Sequence, residues 1–241
     1  YKRQAYERAA VKRCDKLGIA TRLVTLPGDV MQGALLAQIA RLNSDEGVHG
    51  VLMFRPLPEQ LDEAEACEAL APYKDVDGIT SGSAAALYTG SGEGFAPCTA
   101  EAVIALLKHY GVEPAGRNAV VVGRSLVIGR PVAMLLMRAN ATVTMCHTKT
   151  VDMPGVCCEA DILVVAAGHA GTVDWTYVHP NQVVIDVGIN RLDNGKLMGD
   201  VDFATAEPVA GAITPVPGGV GPMTIAMLMQ NAILAAEKRH G

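Results

Sequence analysis

Chemistry concentrates in three short strings of this 241-residue chain. In the first, the apolar run Ala119–Val122 enters Gly123-Arg124-Ser125-Leu126-Val127-Ile128-Gly129-Arg130-Pro131, and a stretch rich in Ala, Met and Leu follows. A glycine turn between a strand and a helix leaves backbone N–H groups open at the helix N-terminus, where a pyrophosphate can sit. Gly123 allows the sharp turn and Gly129 allows helix and strand to approach. The spacing is G-x5-G, so the standard G-x-G-x-x-G fingerprint is not met. Alone, such a loop also reads as a structural turn. The second string is Cys146-His147-Thr148-Lys149-Thr150, at the end of the next apolar run. A carboxylate there would bind a ribose 2′-hydroxyl and select NAD; none is present. Arg124, Thr148 and Lys149 suit a 2′-phosphate instead, which favours NADP over NAD. Lys149 alone would pass for a solvated surface charge, and His147 for an ordinary hydrogen-bonded polar residue. The third string is Lys74-Asp75-Val76-Asp77-Gly78, which taken alone is a turn. Six cysteines (Cys14, Cys67, Cys98, Cys146, Cys157, Cys158) have no metal-ligand spacing. They read as reduced, buried thiols of a cytoplasmic enzyme without a metal.

The elements that must carry these strings follow from hydrophobic rhythm. Residues 5–17, 31–43 and 61–71 read as helices, and Thr21–Leu26 and Val48–Phe54 as strands. Residues 80–98 are small, polar and glycine-rich, a linker or active-site loop. Thr99 is placed to cap a helix that runs to Tyr110 and stops at Gly111. Apolar strands then recur at Ala119–Val122, Thr142–Cys146, Asp161–Ala166 and Val183–Val187, with helical patterns or short crossovers between them. Near-continuous Val, Ile and Leu runs predict a parallel sheet covered on both faces. This rhythm turns the Gly123–Gly129 loop into a dinucleotide site. A tight loop, Gly218–Pro222, precedes a last helix from Thr224 to His240.

Composition narrows the partners. Half the residues are hydrophobic and 19% are charged, a globular balance. The net charge of −5 and the lack of a long Lys/Arg run argue against nucleic acid. No apolar run reaches the roughly 18 residues of a membrane span, and no signal-peptide pattern opens the chain.

Five motifs together resemble the methylenetetrahydrofolate dehydrogenase/cyclohydrolase family. They are Pro215-Val216-Pro217-Gly218-Gly219-Val220-Gly221-Pro222-Met223-Thr224, Val184-Ile185-Asp186-Val187-Gly188-Ile189-Asn190-Arg191, Val121-Val122-Gly123-Arg124-Ser125, Pro97-Cys98-Thr99 and Lys74–Gly78. The resemblance covers nearly the whole chain. It implies a two-domain α/β fold: a Rossmann-type parallel-sheet nucleotide domain over residues 99–222 and a smaller α/β folate domain over 1–98 with 223–241, a cleft between them. It implies oxidation of 5,10-methylenetetrahydrofolate by NAD(P)⁺, followed in most members by hydrolysis of the methenyl form to 10-formyltetrahydrofolate. Gly123, Arg124, Ser125 and Ile189, with Thr148, would hold the dinucleotide. Asp77 would hydrogen-bond the pterin, Tyr6 would lie along the folate rings, and the Pro217–Thr224 loop, with Pro217, Gly218 and Gly219 on the substrate, would line the cleft between nicotinamide and folate. Family members are commonly homodimers packed through their nucleotide domains. The tetrahydrofolate derivatives are the small-molecule partners.

The chain departs from the family at the acid/base. The usual Tyr-Val-x-x-Lys reads Tyr6-Glu7-Arg8-Ala9-Ala10, so Ala10 holds the lysine position. Lys12 cannot substitute, because two helical residues rotate a side chain by about 200°. Lys2 lies a turn before Tyr6 and Arg13 a turn after Ala10, and an arginine is a poor base. The usual Gln-Leu-Pro-Leu-Pro reads Phe54-Arg55-Pro56-Leu57-Pro58, and the usual Phe-His after Asp-Gly reads Ile79-Thr80. The changes predict a dehydrogenase with weak or lost cyclohydrolase activity. A fully bifunctional enzyme using Lys2 or Arg55 is the alternative, and a non-catalytic folate or dinucleotide binder the second. A different two-domain dehydrogenase, of shikimate or amino-acid type, would need a Lys–Asp pair or another base arrangement for a C–OH or C–NH₃⁺ substrate, and none is found. Family members carry roughly 40–50 residues, a helix and a strand, before the tyrosine. Five precede Tyr6 here, which implies either a preceding segment outside this sequence or a junction within residues 1–5.

Overall fold

The computed structural model describes the backbone of residues 2–240 and the side chains of residues 6–239; the expectation for the Lys2 side chain falls outside them. The chain divides into two compact units, Tyr1–Cys98 with Ile225–Gly241 and Thr99–Thr224.

The second unit is built on a five-stranded sheet. Its strands are β1 (Asn118–Val122), β2 (Thr142–Cys146), β3 (Ile162–Val165), β4 (Val183–Asp186) and, after a short hairpin of β5 (Asn190–Arg191) and β6 (Leu197–Met198), β7 (Ala212–Ile213). The order is β2-β1-β3-β4-β7 and every pairing is parallel. The expected parallel sheet is therefore present. All four residues of β3 are buried, as central strands covered on both faces must be. One face packs Val120, Val122, Leu163, Val165 and Val184 against Val173, Val201 and Ala206.

The first unit is helical: α1 (Lys2–Leu17), α2 (Gln32–Ser44), α3 (Glu63–Ala69) and α4 (Ser81–Thr89), joined by the C-terminal part of the last helix. Neither expected strand forms. Thr21–Leu26 joins no ladder, and Val48–Phe54 makes one isolated bridge, Val51 to Asp75, with Val51 N donating to Lys74 O at 2.7 Å. β-branched composition alone does not make a strand; a neighbour must take its N–H and C=O groups. Among the described residues Thr21–Leu26 has no such neighbour, and Leu23 stays 62% exposed.

The glycine-rich stretch expected as a loop contains α4. Thr80 Oγ1 caps it by accepting from Ser83 N at 3.0 Å, and Gly90 closes it in the left-handed region at φ 76°. Between those signals the Ala84-Ala85-Ala86-Leu87 run is strongly helix-forming, and it outweighs the surrounding Gly and Ser. Thr99 does not cap the next helix: α5 spans Cys98–His109, with Thr99 inside it. The crossovers of the second unit are α6 (Gly129–Arg138), α7 (Met153–Cys158) and α8 (Phe203–Ala206), and α9 spans Val220–His240. Gly221 and Pro222 thus belong to the first turn of α9 rather than to a loop, a place where a proline's missing N–H costs nothing. None of the six cysteines is in a disulfide; five are buried and Cys158 is partly exposed.

Candidate functional site

In the second unit the candidate loop leaves β1 where two strands run side by side. Val122 pairs with Cys146, and Gly123 N donates to Cys146 O at 2.9 Å. The Gly123–Arg130 loop and the His147–Thr150 turn therefore start from adjacent strand ends. These are C-terminal ends of parallel strands, the edge at which such sheets bind ligands. Gly123 has φ 121°, a conformation that side chains rarely adopt. A Cβ on Gly129 would strike Gly123 O, so loop and helix are in backbone contact. Ser125 Oγ accepts from Ile128 N at 3.1 Å and Gly129 N at 3.3 Å, and Arg130 N donates to Ser125 O at 3.0 Å. The loop is thus a closed turn at the N-terminus of α6, with Arg124 and Ser125 exposed above it. At the end of β2, His147 N donates to Thr150 Oγ1 at 2.9 Å and His147 Nδ1 accepts from Lys149 N at 3.1 Å. That folded turn presents Thr148 and Lys149 to solvent, with no carboxylate among its residues. Turn, cations and absent carboxylate fit a dinucleotide that carries a 2′-phosphate.

Ile189 is half exposed, just past the end of β4. A Cβ on Gly221 would lie 3.6 Å from Ile189 Cδ1, so the start of α9 stands beside it. The turn leading there contains Pro217 after a cis peptide bond, Gly218 at φ 111° and Gly219, whose N donates to Pro215 O at 2.9 Å.

In the first unit, Asp77 sits in a turn fixed from both sides. Before it, Asp75 is fully buried and accepts from Ile79 N (3.0 Å), Thr80 N (2.8 Å) and Ser83 Oγ (2.7 Å). Lys74 is fully buried as well, and its Nζ donates to Leu42 O and Asp45 O at 2.7 Å each, satisfying carbonyls at the end of α2. Val76 O accepts from Asn231 Nδ2 at 3.1 Å and from Cys98 Sγ at 3.2 Å. Burial pushes the Asp77 carboxyl up to about 6; the Cys98 thiol and the Arg55 guanidinium pull it partly back, and Asp75 raises it. Tyr6 is brought into the same field. Its phenol is raised far above the ordinary tyrosine range, first by burial and then by the Asp77 charge.

The departures cluster around Tyr6. The Phe54 ring meets the Tyr6 ring edge-on, with centroids 6.2 Å apart and planes at 84°. Ala10 is 4% exposed and packs in the apolar cluster of Cys14, Val76, Phe95 and Cys98. An amine is absent from position 10, and the position is closed over by core. Arg55 is held by Glu63, Nη1 to Oε1 at 3.4 Å.

Two buried carboxylates were not legible as site residues in the sequence. Asp186 ends β4, and Asp200 follows β6. An aspartate that closes an apolar strand, with a Gly-Asp fourteen residues later, was the available signal. Arg130, at the close of the glycine loop, donates from Nε to Arg124 O at 3.2 Å.

The comparisons with known proteins agree with one another. Residues 1–77 match the family model "Tetrahydrofolate dehydrogenase/cyclohydrolase, catalytic domain", and residues 97–240 match "Tetrahydrofolate dehydrogenase/cyclohydrolase, NAD(P)-binding domain". The bifunctional protein FolD of Herminiimonas arsenicoxydans is 50% identical over 235 residues, 98% of this chain and 83% of that protein. The FolD protein of Bordetella avium is 51% identical over 235 residues, covering 98% and 82%. Among solved structures, the bifunctional FolD dehydrogenase/cyclohydrolase of Campylobacter jejuni superposes with a TM-score of 0.95 at 42% identity, covering 99% of this chain and 84% of that one. The Trypanosoma brucei dehydrogenase-cyclohydrolase, solved with NADP cofactor and an inhibitor, gives 0.91 at 37% identity, covering 98% and 83%.

Proposed function

This chain belongs to the tetrahydrofolate dehydrogenase/cyclohydrolase family, and we propose that it oxidises 5,10-methylenetetrahydrofolate to the 5,10-methenyl form in one-carbon metabolism, with NADP⁺ as acceptor and with the hydrolytic step weak or lost. The observation that carries the reading is an intact dinucleotide loop in a chain whose acid/base position is an alanine sealed in the core. In this reading residues 99–222 form the dinucleotide domain and residues 1–98 with 223–241 the folate domain.

The bound dinucleotide supplies the hydride acceptor. Gly123, Arg124, Ser125, Thr148 and Ile189 hold and orient it. Asp77, ionised above pH 6, accepts hydrogen bonds from the pterin; Tyr6 lies along the folate rings, and the Pro217–Gly219 turn contacts the substrate. Hydride loss leaves a cation shared by two folate nitrogens, whose own lone pairs stabilise it. No side chain has to take a proton, so orientation and a cation-tolerant site suffice. Hydrolysis differs: water must be activated, a contribution of roughly 10²–10⁴-fold from a positioned acid/base. Ala10 and Phe54 offer none. Arg55 is a poor replacement, because its guanidinium keeps its proton and already faces Glu63.

The test is direct. Purified protein should reduce NADP⁺ with methylenetetrahydrofolate and should hydrolyse methenyltetrahydrofolate far more slowly than it turns over as a dehydrogenase. Hydrolysis at the level of dehydrogenase turnover would establish the fully bifunctional reading; binding of both ligands without NADP⁺ reduction would leave a non-catalytic binder. For cofactor choice, Arg124→Ala combined with Lys149→Ala is expected to lower kcat/KM for NADP⁺ at least about tenfold, the scale of one lost charge-assisted bond, and to leave NAD⁺ within about twofold. An equal loss with both cofactors would remove these residues from 2′-phosphate recognition.

The same reading makes the protein a cytoplasmic homodimer that works on small molecules. Six cysteines outside any disulfide support a reducing compartment. Among the described residues no helix is long and apolar enough to cross a membrane, and the net charge of −5 speaks against nucleic acid.

A further inference from the structure

The exit of β4 carries an arrangement that the dinucleotide loop does not explain. Between Ile189 and Asp200 the chain makes the β5–β6 hairpin, and both of its feet are held by two buried carboxylates. Asp186 is 2% exposed; its Oδ1 accepts from Gly188 N at 3.0 Å and from Asp200 N at 2.9 Å, and its Oδ2 accepts from Val201 N at 3.0 Å. Asp200 is fully buried; its Oδ1 accepts from Asn190 Nδ2 at 2.8 Å and its Oδ2 from Gly168 N at 2.7 Å. Asn190 Nδ2 also reaches Gly199 O at 3.2 Å. The packing leaves no room for side chains: a Cβ on Gly188 would strike the Asp200 carboxylate, and one on Gly199 the Asp186 carboxylate.

The geometry has a direction. Gly168 lies just beyond β3 and Ile189 just beyond β4, so Asp200 spans the exits of two neighbouring parallel strands at the ligand-binding edge. All of its partners are donors. A carboxylate, which only accepts, satisfies both arms; an amide cannot, since one of its two atoms would face an N–H with an N–H. Neither carboxylate has a salt-bridge partner among the described residues, which is an expensive way to fasten a hairpin unless the hairpin's position matters.

We propose that Asp200, braced by Asp186, is a positioning residue that fixes the Gly168 and Ile189–Asn190 backbones against the redox end of the bound dinucleotide. The inference rests on the dehydrogenase reading for its kinetic arm but not for its binding arm.

The experiment compares the unaltered protein with Asp200→Asn, with Asn190→Ala, and with Asp200→Asn combined with Asn190→Asp, which exchanges donor and acceptor across the pair. Three readouts are taken: NADP⁺ binding by direct titration, kcat, and KM for the folate. Asp200→Asn is expected to weaken NADP⁺ binding and lower kcat by about tenfold or more, with the folate KM within about twofold. Asn190→Ala removes one arm without altering a buried carboxylate, and is expected to give a smaller loss of NADP⁺ binding in the same direction. The reciprocal exchange restores the bond between positions 190 and 200 but sets a carboxylate oxygen against Gly199 O. It is therefore expected to recover part of the loss, at least threefold in NADP⁺ binding, with the folate KM still unchanged, a split that a merely structural role would not produce. Should Asp200→Asn not fold, Asn190→Ala and the exchange decide. NADP⁺ binding unchanged by Asn190→Ala, a folate KM that rises in step with the loss, or no recovery on exchange would each overturn the proposal. Failure of the unaltered protein to oxidise methylenetetrahydrofolate would instead overturn the proposed function, with the titrations still reporting on Asp200.

Discussion

Replacing Ala10 by Lys and Phe54 by Gln together is expected to raise methenyltetrahydrofolate hydrolysis by about 10²–10⁴-fold, the contribution of a positioned acid/base, while NADP⁺ reduction changes far less. The double change is needed. Phe54 packs edge-on against Tyr6 at the position where the family resemblance places a glutamine, so a lysine at position 10 alone would lack that amide. The cost is predictable too. Ala10 lies within the Cys14, Val76, Phe95 and Cys98 cluster, and a longer chain there overpacks a closed core, a penalty of about 1–3 kcal/mol. Lower thermal stability together with a gain in hydrolysis is the expected signature. A stable double variant that hydrolyses no faster than the parent would show that the lysine position alone does not limit the hydrolytic step.

Asp77→Asn should do two opposite things. On the proposed role of Asp77, substrate affinity should collapse, with the folate KM up about 10²-fold, because the charge-assisted bonds that reading gives it to the pterin would be lost and the pterin's donors left poorly paired. Stability should rise. The native carboxyl titrates near 6, well above an unfolded aspartate, because burial disfavours its charge. The folded state therefore holds its proton more tightly. This carboxyl's favourable contribution is complete below about pH 4 and is lost as pH rises through about 6. The upward shift corresponds to about 2–3 kcal/mol of cost above that pH. The neutral amide removes that cost, so the variant should melt several degrees higher at pH 8 and level with the parent near pH 4. In the parent, the folate KM should climb as pH falls below 6. Thermal melts at both pH values, with KM across pH 5–8, test every part; equal stabilisation at pH 4 and pH 8 would refute the electrostatic account.

The parallel sheet was readable because its strands are covered on both faces, so runs such as Ile162–Val165 are apolar without interruption. The Gly123–Gly129 loop was readable because a turn in backbone contact with a helix demands glycine. Thr21–Leu26 has a composition that suits a strand but forms none, because pairing depends on a neighbour that local sequence does not specify. Helix α4 was hidden by its glycines and serines, although Thr80 already carried the cap. Asp77 gained meaning from the family motif, since Asp-Gly alone is a turn. Asp200 stayed hidden because its partners, Gly168 and Asn190, are backbone and amide groups at separations that no short motif spans.

The distribution of thiols gives the molecule its own gauge of opening. Cys14, Cys67 and Cys98 are buried in the first unit, Cys146 and Cys157 in the second, and Cys158 is partly exposed. An alkylating pulse on the native protein would mark Cys158 first. Each further mark would record the unlocking of the unit that carries it, because a buried thiol reacts only when its surroundings open. Mass mapping of the adducts would then yield two separate opening free energies, one for each half of the chain, without any introduced probe.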